Sequence, residues 1–414
     1  MNVAILGYGT VGSGVAELFR RSHESIVKKS MQPELELKYI LDVRDFPGDE
    51  NERLVIHDFD TILKDESVKI VVETIGGIRP AHEYVLACLN AGKSVVTANK
   101  ELVAEKGCGL LRTAEEKNVN FLFEASVGGG IPIIRPITQC LTANEIDEIA
   151  GILNGTTNFI LTKMIQENMR FAEALALAQE LGYAEKGDPS ADVDGHDACR
   201  KICILASLCF GKHVYPESVH TEGIRDINLV DVEYAKSWDG VIKLLGRAAR
   251  TADGGHISAI VSPALVHHHS QLAGVNDVFN AILVRGDAIG DVVFYGRGAG
   301  KMPTASAVVA DVIDCCKHMA RKRFFSWEDS EADYVADYLN GETALYVRAK
   351  SADPAAALAA AERLFGGLQV LNRENAPADE FAFVTPRASE REQRAKLETL
   401  LCLEPLSIIR VTDY

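Results

Sequence analysis

The chain opens with MNVAILGYGTVGSGVAELF at residues 1–19. A short apolar strand is predicted over residues 2–7, and three glycines follow it at G-x-G-x-x-G spacing before a helical run. Glycines in this context let the backbone approach a pyrophosphate group on the N-terminus of the helix. The stretch therefore predicts a dinucleotide-binding fold. The cofactor contacts expected from this loop are Gly7, Tyr8, Gly9, Thr10, Val11 and Gly12.

Alternating strands and helices continue the pattern and favour a Rossmann-like α/β domain over residues 1–132. The further elements are predicted over Leu35 to Val43, Val68 to Thr74, Ala81 to Asn90 and Ser94 to Thr97. Ligands of open parallel sheets bind beyond the carboxyl ends of the strands. Two more strand ends should therefore border the cofactor, through Ile75, Gly76, Thr97 and Lys100.

The end of the second strand carries two side chains that disagree about the cofactor. Asp42 would bind the ribose hydroxyls of NAD, whereas Arg44 would accommodate the 2′-phosphate of NADP. Residues two apart on a strand share a face, so both can reach the ribose. The sequence leaves the choice between NAD and NADP open.

The last strand of this domain is expected over residues 118–125, with a tight loop at the glycines 128–130. Glu124 and the free carbonyl oxygens of such a loop offer hard ligands for a small cation. A simple turn between domains explains the glycines equally well.

A second stretch, LGYAEKGDPSADVDGHDACRKICILASLCF at residues 181–210, organises the middle of the chain. An amphipathic helix over Phe171 to Leu181 should end at Gly182. A nearly wholly apolar helix from Ala198 to Phe210 should follow, buried on most faces. The charged residues around its start should therefore lie near the core.

Asp197 and Lys201 are four residues apart and so project from one face of that helix. A pair of this kind is usually a surface salt bridge. A lysine at the mouth of a buried helix suits proton transfer better, because burial and neighbouring charge can tune its pKa. The acids just upstream are Glu185, Asp188, Asp192 and Asp194.

Length and composition bound the class of protein. The 414 residues allow two or three domains with a sizeable core. A net charge of −16 argues against a nucleic-acid partner. No apolar run is long enough to span a bilayer, so no membrane partner is expected. Nine scattered cysteines and a start without a signal-peptide pattern favour reduced thiols and a cytoplasmic protein.

An α+β domain for substrate binding and dimerisation is expected over residues 133–302, with a polar turn at Asn154 to Asn158. Its glycine-rich end should bring Gly300 near the cofactor, and a helix over residues 303–320 should return to the first domain. Three consecutive histidines at 267–269 cannot all face one ion, so a strand end is favoured there over a metal site.

The tail, residues 343–414, predicts strand, helix, two strands, helix and strand, which is the ferredoxin-like plan. An acidic link at residues 326–342 should separate it from the core. The chain without this tail is therefore expected to fold and to remain active.

Six motifs occur in one order along the chain: GYGTVG, VVTANKELVA, EASVGGGIPI, GILNGTTNFIL, GYAE…DPSADVDGHDACRK and GRGAGKMPTASAV. With them the chain resembles the homoserine dehydrogenase family over its whole length, including the variant with a C-terminal ACT domain. The resemblance implies NAD(P)-dependent interconversion of L-aspartate 4-semialdehyde and L-homoserine, in threonine, methionine and isoleucine biosynthesis. It further implies a homodimer or homotetramer.

The resemblance also implies roles for single residues. Lys201 looks like the proton donor and acceptor, with Lys100 as the second essential lysine. Glu185 and Asp197 look like ligands of the amino and hydroxyl groups of the substrate, with Asp192 in support. In EKGDP at residues 185–189, two residues separate Glu185 from Asp188, where one is expected. This leaves open whether the Glu185 side chain reaches the substrate. The implied cofactor contacts include Gly182, and the implied sodium ligands are Glu124 and the carbonyls of Val127, Gly129 and Ile131.

The chemistry fits the residues without the resemblance. Reducing an aldehyde needs a hydride on carbon and a proton on the developing alkoxide, and the ammonium of Lys201 can supply the proton. Two alternatives stay open: another lysine-dependent Rossmann dehydrogenase for an amino-acid-like substrate, and a non-catalytic amino-acid sensor. The tail could bind an amino-acid effector or serve only in dimerisation, because KSADPAAAL lacks the glycine usual after the first ACT strand.

Overall fold

The computed structural model describes residues 1–320, 322–325 and 327–412. Ser326, the first residue of the expected link, lies outside the described residues, as do Asp413 and Tyr414 at the end of the tail. Within the described part, no helix is both long and apolar enough to cross a membrane.

The first part of the chain forms a six-stranded parallel sheet in the order β3-β2-β1-β4-β5-β6, which is the Rossmann order. The strands are β1 (Asn2–Leu6), β2 (Glu36–Leu41), β3 (Val55–Ile56), β4 (Val68–Glu73), β5 (Ser94–Thr97) and β6 (Phe121–Leu122). The helices are α1 (Thr10–Arg21), α2 (His23–Ser30), α3 (Phe59–Lys64), α4 (Ala81–Asn90) and α5 (Lys100–Glu116). All strands run in one direction, so the loops that follow β1, β4 and β5 meet at one edge.

The strand expected over residues 118–125 is much shorter than the sequence predicted. Only β6 pairs with β5, because Asn118 has a left-handed backbone with φ of 51° and delays the start. After it, a 3-10 turn over Glu124–Ser126 replaces the strand. The backbone N–H of Glu124 donates to the Asp311 carboxylate over 2.8 Å and so does not continue the sheet.

The second part is built on an antiparallel sheet in the order β12-β11-β7-β9-β10. Its strands are β7 (Ile146–Ile152), β8 (His220–Thr221), β9 (Gly240–Arg250), β10 (Ile257–His267), β11 (Phe279–Gly286) and β12 (Gly290–Arg297). Its helices are α6 (Gly155–Glu167), α7 (Phe171–Glu180), α8 (Ser190–Val193), α9 (His196–Phe210), α10 (Leu229–Ser237) and α11 (Lys301–Lys317). α9 packs on β7, β9 and β10, which buries the apolar face that the sequence indicated.

The prediction of a polar turn at residues 154–158 is wrong, because those residues begin a helix. The side chain of Asn154 accepts a hydrogen bond from the backbone N–H of Thr157 over 2.8 Å and caps α6, which starts at Gly155. Small polar residues read as a loop by composition, but an asparagine cap turns them into the first helical turn.

α11 packs against α1 and α2 of the first part. The approach is close: a Cβ atom on Gly14 would lie 3.0 Å from Cβ of Ala305. Lys301 also pairs with Glu17 across the contact at 2.9 Å. The helix therefore belongs to the first part in space, although the whole second sheet precedes it in sequence.

The tail has the ferredoxin-like strand order β17-β13-β15-β14. Its elements are β13 (Glu342–Lys350), α12 (Pro354–Phe365), β14 (Gln369–Leu371), β15 (Glu380–Val384), β16 (Ala388–Ser389), α13 (Glu390–Thr399) and β17 (Glu404–Val411). The tail is not a separate body, however. β17 pairs in parallel with β10, Ala264 opposite Arg410, so both sheets join into one of 11 strands.

The acidic link does not separate the tail from the core as the sequence predicted. Its backbone is bonded to the second part at two points, where Glu328 meets Gly211 and His213, and where Tyr334 and Ala336 meet Ile257. These bonds, which sequence composition does not reveal, hold the link down. Removing the tail would expose the edge of β10, so the chain is not expected to tolerate the truncation freely.

Buried charges strengthen the junction between the tail and the second part. The guanidinium of Arg410 donates to both carboxylate oxygens of Glu222 and of Glu390, over 2.8 to 3.0 Å. Asp231, which is fully buried, accepts bonds from Arg348 at 2.9 Å and from the hydroxyl of Tyr346 at 3.0 Å. Removing one partner would leave a buried charge without its counter-ion.

Arg410→Gln should therefore lower the free energy of unfolding by about 3 kcal/mol, measured by urea denaturation. The matched control is Arg391→Gln, which breaks an exposed pair with Asp337 in the same region and should cost less than about 1 kcal/mol. Equal small effects for both variants would show that the junction does not depend on Arg410.

Candidate active site

The glycines after β1 shape the expected cofactor loop. Gly7 has φ of +94°, and a Cβ atom on Gly12 would lie 2.0 Å from the carbonyl oxygen of Gly7. Among the residues that the structure describes, no side chain caps the start of α1. Its first N–H groups are therefore free to bind a pyrophosphate, as the motif predicts.

Asp42 and Arg44 at the end of β2 bind each other. The carboxylate of Asp42 accepts bonds from the backbone N–H of Tyr8 at 2.7 Å and from Nε of Arg44 at 2.9 Å. The Arg44 hydrogen bond outweighs partial burial and lowers the pKa of Asp42 to about 2. The Arg44 side chain is 59% exposed, whereas that of Asp42 is 7% exposed. The charge presented at the rim of the site is therefore positive.

A buried hydrogen-bond network fixes the ends of β4 and β5. The Thr97 hydroxyl donates to Glu73 over 2.5 Å, and Glu73 also accepts the backbone N–H of Ile75 at 2.7 Å. Asn99 donates to the carbonyl of Gly77 at 2.6 Å and caps α5. Burial raises the pKa of Glu73. These hydrogen bonds, which the sequence analysis did not predict, set where α5 and its first residue begin.

That first residue, Lys100, reaches the second part of the chain. Its Nζ lies 2.7 Å from one carboxylate oxygen of Asp197, and Nζ of Lys201 lies 2.7 Å from the other. Lys201 also donates to the carbonyl of Leu153 over 2.8 Å. The Lys201 and Asp197 side chains are only 9% and 7% exposed, which excludes a surface salt bridge, while Lys100 is 42% exposed.

Asn154 is a site residue that the sequence reasoning missed. Its side-chain N–H₂ group donates to Asp192 at 2.7 Å and to Asp197 at 2.8 Å, while its oxygen caps α6. One amide therefore holds two carboxylates in fixed positions. The GILNGTTNFIL motif contains this residue, but composition alone indicated a turn there.

The charges of the cluster tune one another. Burial lowers the pKa of Lys201 and the Asp197 charge opposes that shift, whereas the Asp197 charge raises the pKa of Lys100. Burial would raise the pKa of Asp197, but the two ammonium groups lower it well below its usual range. Burial raises the pKa of Asp192 despite the bond from Asn154. Asp197 is therefore the fixed anion, and Lys201 is the lysine closer to releasing a proton.

Other expected residues lie outside this cluster. Glu185 is exposed, and its backbone carbonyl accepts a bond from Gln179 at 2.8 Å. Asp188 binds the backbone N–H of Ser190, and Asp194 pairs with Arg225. Gly182, with φ of 78°, ends α7, and Gly300, with φ of 125°, begins α11.

The residues of the implied sodium site present oxygen atoms of the right kind. The Glu124 carboxylate accepts backbone N–H groups of Ile133, Ile134 and Arg135 over 2.7 to 2.9 Å. In the described part of the chain, no hydrogen bond goes to the carbonyl oxygens of Val127, Gly129 and Ile131. Carbonyl oxygens that accept no hydrogen bond are ligands of the kind that a hard cation prefers.

Comparison with known proteins decides the family. A model described as "Homoserine dehydrogenase" matches residues 132–313, and one described as "Homoserine dehydrogenase, NAD binding domain" matches residues 7–124. The homoserine dehydrogenase of Synechocystis sp. is 46% identical over 320 residues, which are 76% of this chain and 73% of that protein. The chain belongs to the homoserine dehydrogenase family. It is therefore an NAD(P)-dependent oxidoreductase that interconverts L-aspartate 4-semialdehyde and L-homoserine.

Solved homoserine dehydrogenases agree with this assignment. The crystal structure of a homoserine dehydrogenase from Thiobacillus denitrificans has a TM-score of 0.88 and 36% identity, covering 100% of this chain and 98% of its own. A hyperthermophilic archaeal homoserine dehydrogenase in complex with NADPH has a TM-score of 0.64 and 29% identity, covering 76% of this chain and 97% of its own. The resemblance to homoserine dehydrogenase, the α/β fold class and the enzyme class are confirmed, and the ACT identity of the tail stays a prediction. A non-catalytic sensor and a different dehydrogenase are set aside.

Asn154→Asp should keep the helix cap, because aspartate caps as well as asparagine. It should lower kcat/KM by at least about 100-fold, because it removes the amide donor and puts a third carboxylate beside Asp192 and Asp197. Steady-state kinetics and the thermal midpoint measure both effects. The control is Asn228→Asp at the cap of α10, which should leave kcat/KM unchanged. Wild-type kcat/KM for Asn154→Asp would contradict the role of the amide.

Proposed function

We propose that Lys201 moves the proton of the homoserine dehydrogenase reaction. An ammonium has three N–H groups, and two of those of Lys201 are engaged by Asp197 and the Leu153 carbonyl. The third is available for the substrate oxygen. The bound nicotinamide cofactor supplies or accepts the hydride. Lys201 gives its proton to the alkoxide on reduction and takes it from the hydroxyl on oxidation.

Lys100 supports this role from the cofactor side. It begins α5 at the carboxyl end of β5, the edge at which open parallel sheets bind ligands, and it shares Asp197 with Lys201. Burial is the main cause of the lowered pKa of Lys201, and the positive charge of Lys100 lowers that pKa further. A partly exposed ammonium in this position can bind the substrate and stabilise negative charge on its oxygen.

The acids bind the substrate's ammonium group. Asp192 is held by Asn154 and has no lysine in direct contact among the described residues, so it is free to accept an ammonium. Glu185 is exposed, and its participation requires the segment from Gly182 to Asp188 to close over the substrate. Asp197 pairs with Lys100 through one carboxylate oxygen and with Lys201 through the other, and it orients both lysines near the substrate hydroxyl.

The preferred cofactor is NADP. Asp42 accepts the N–H groups of Tyr8 and Arg44 and is nearly covered, so its capacity for ribose hydroxyls is largely used. Arg44 is exposed and lies 5.1 Å from the ring centroid of Phe46, which limits its freedom. A guanidinium held in this way suits a phosphate group.

A sodium ion is proposed at Glu124 and the carbonyls of Val127, Gly129 and Ile131. The support is the set of hard oxygen atoms there. The ion would hold together the segment where residues 1–132 end and the second domain, residues 133–302, begins.

The tail, residues 343–414, is proposed to be an ACT-like regulatory domain. A cavity at its junction with the second part is lined by Tyr338, Thr343, Glu390 and Arg410, polar groups that suit an amino-acid effector. Dimerisation remains the second role for the tail.

We also propose a cytoplasmic enzyme of threonine, methionine and isoleucine synthesis, supported by nine free cysteines. Edge strand β12, with Tyr295 57% exposed, supports a homodimer or homotetramer.

Lys201→Ala should lower kcat by at least about 100-fold with the fold intact. Lys201→Arg should fail as well, because arginine stays protonated and cannot accept the proton. Lys106→Ala, on the exposed face of α5, is the control and should retain wild-type turnover. Assays in both directions should also show opposite pH dependence: reduction falls and oxidation rises as Lys201 loses its proton. Retained turnover in Lys201→Ala would overturn the proton-transfer role.

Arg44→Ala should raise KM for NADP at least about 10-fold, because it removes the cation that binds the 2′-phosphate. KM for NAD should stay the same or fall, since Asp42 is then freed to bind the ribose. Arg21→Ala, at the other end of α1, is the control for a lost positive charge. An equal rise for both cofactors would show that Arg44 does not recognise the phosphate.

A further inference from the structure

We propose that Asp239, His267 and His269 bind a divalent transition-metal ion. The chemistry of the three donor groups favours Zn²⁺. The three side chains each offer one donor atom, and these atoms lie within 4.8 Å of one another. Two imidazoles and a carboxylate are a donor set that zinc and nickel accept. None of the three belongs to the lysine–aspartate cluster.

The backbone brings these residues together from two segments. Asp239 lies between α10 and β9, with a left-handed φ of 59°, and β10 ends at His267. The backbone N–H of His268 donates to the carbonyl of Asp239 over 3.0 Å, which holds the two segments side by side. The aspartate is therefore positioned by the fold and not by sequence proximity.

Two of the three consecutive histidines point to the same side. His267 and His269 stack with ring centroids 3.8 Å apart, whereas His268 lies outside the group. The three adjacent histidines therefore do not all face one ion. Asp239 supplies the third donor instead of His268. The sequence did not indicate that Asp239 lies beside these histidines.

To bind one ion, the His269 ring must turn out of its stack on His267, because an imidazole binds a metal in the plane of its own ring. Nε2 of His267 lies 3.8 Å from Oδ2 of Asp239, and zinc with bonds of about 2.0 to 2.2 Å would draw such atoms slightly closer. Asp239 and His269 are exposed and can rotate. Nδ1 of His267 is buried and has no hydrogen-bond partner among the described residues. The ring is thus not held by a competing hydrogen-bond network.

A bound ion would stabilise the region where the second part meets the tail. Trp238, next to Asp239, packs edge-on against His267 with centroids 5.2 Å apart. Its indole N–H donates to Gln369 of the tail over 2.9 Å. An ion that binds only the folded chain raises its stability by an amount that grows with the logarithm of the ion concentration divided by its Kd.

Trp238 also provides a local signal, since the chain has only two tryptophans. Untagged full-length protein is titrated with NiCl₂ while tryptophan fluorescence is followed, and with ZnCl₂ by calorimetry. Saturable quenching by Ni²⁺, reversed by Zn²⁺ and lost in Trp238→Phe, is expected. One Zn²⁺ per chain should bind and raise the thermal midpoint.

His269→Gln and His267→Gln should each weaken binding at least about 10-fold and abolish the thermal shift, because each removes one ligand. His268→Gln is the matched control and should bind as the wild type. His269→Gln, an exposed change, should keep wild-type turnover, which separates this site from the active site. The proposal is overturned if wild-type protein shows no saturable binding, or if His268→Gln loses as much affinity as His269→Gln.

Discussion

The carboxylate of Asp197 lies between the ammonium groups of Lys100 and Lys201, and the site depends on this arrangement. Each lysine comes from a different part of the chain: Lys100 from the first turn of α5, and Lys201 from the buried helix α9. Because both bind the same carboxylate, the pair also ties the Rossmann domain to the second domain. Burial makes the neutral form of Lys201 accessible, and the shared anion keeps its proton from being lost altogether. A group in that balance can both donate and accept a proton.

The rest of the cluster limits how far these charges can move. Asn154 caps α6 and holds Asp192 and Asp197 with the same side chain, so the helix start and the acid positions are set together. The Glu73 network does the same for α5. Charged groups in a buried site are useful only if they cannot rearrange to neutralise one another fully, and rigid helix starts provide that.

The tail reaches the same region through hydrogen bonds and close packing. Arg410 binds Glu222, and the next residue, Gly223, lies so close to Val193 that a Cβ atom would fall 2.1 Å from its carbonyl oxygen. Val193 follows Asp192 directly in α8. A change in the tail therefore bears on the segment that carries Asp192, the acid held by Asn154. The continuous sheet gives the catalytic part and the tail a common framework.

Local patterns were enough for the Rossmann-like domain, the buried helix α9, the Asp197–Lys201 face and the ferredoxin-like tail, because glycine spacing and hydrophobic periodicity report local backbone geometry. They also carried the family resemblance. The contacts that complete the site were decided only by tertiary structure. Asn154 reaches Asp192 and Asp197 across 38 and 43 residues, Lys100 meets Asp197 across two domains, and β17 joins β10 by backbone bonds that any side chains allow. Such long-range pairings depend on how helices and strands pack against one another. The local pattern of a single sequence does not indicate which distant residues will meet.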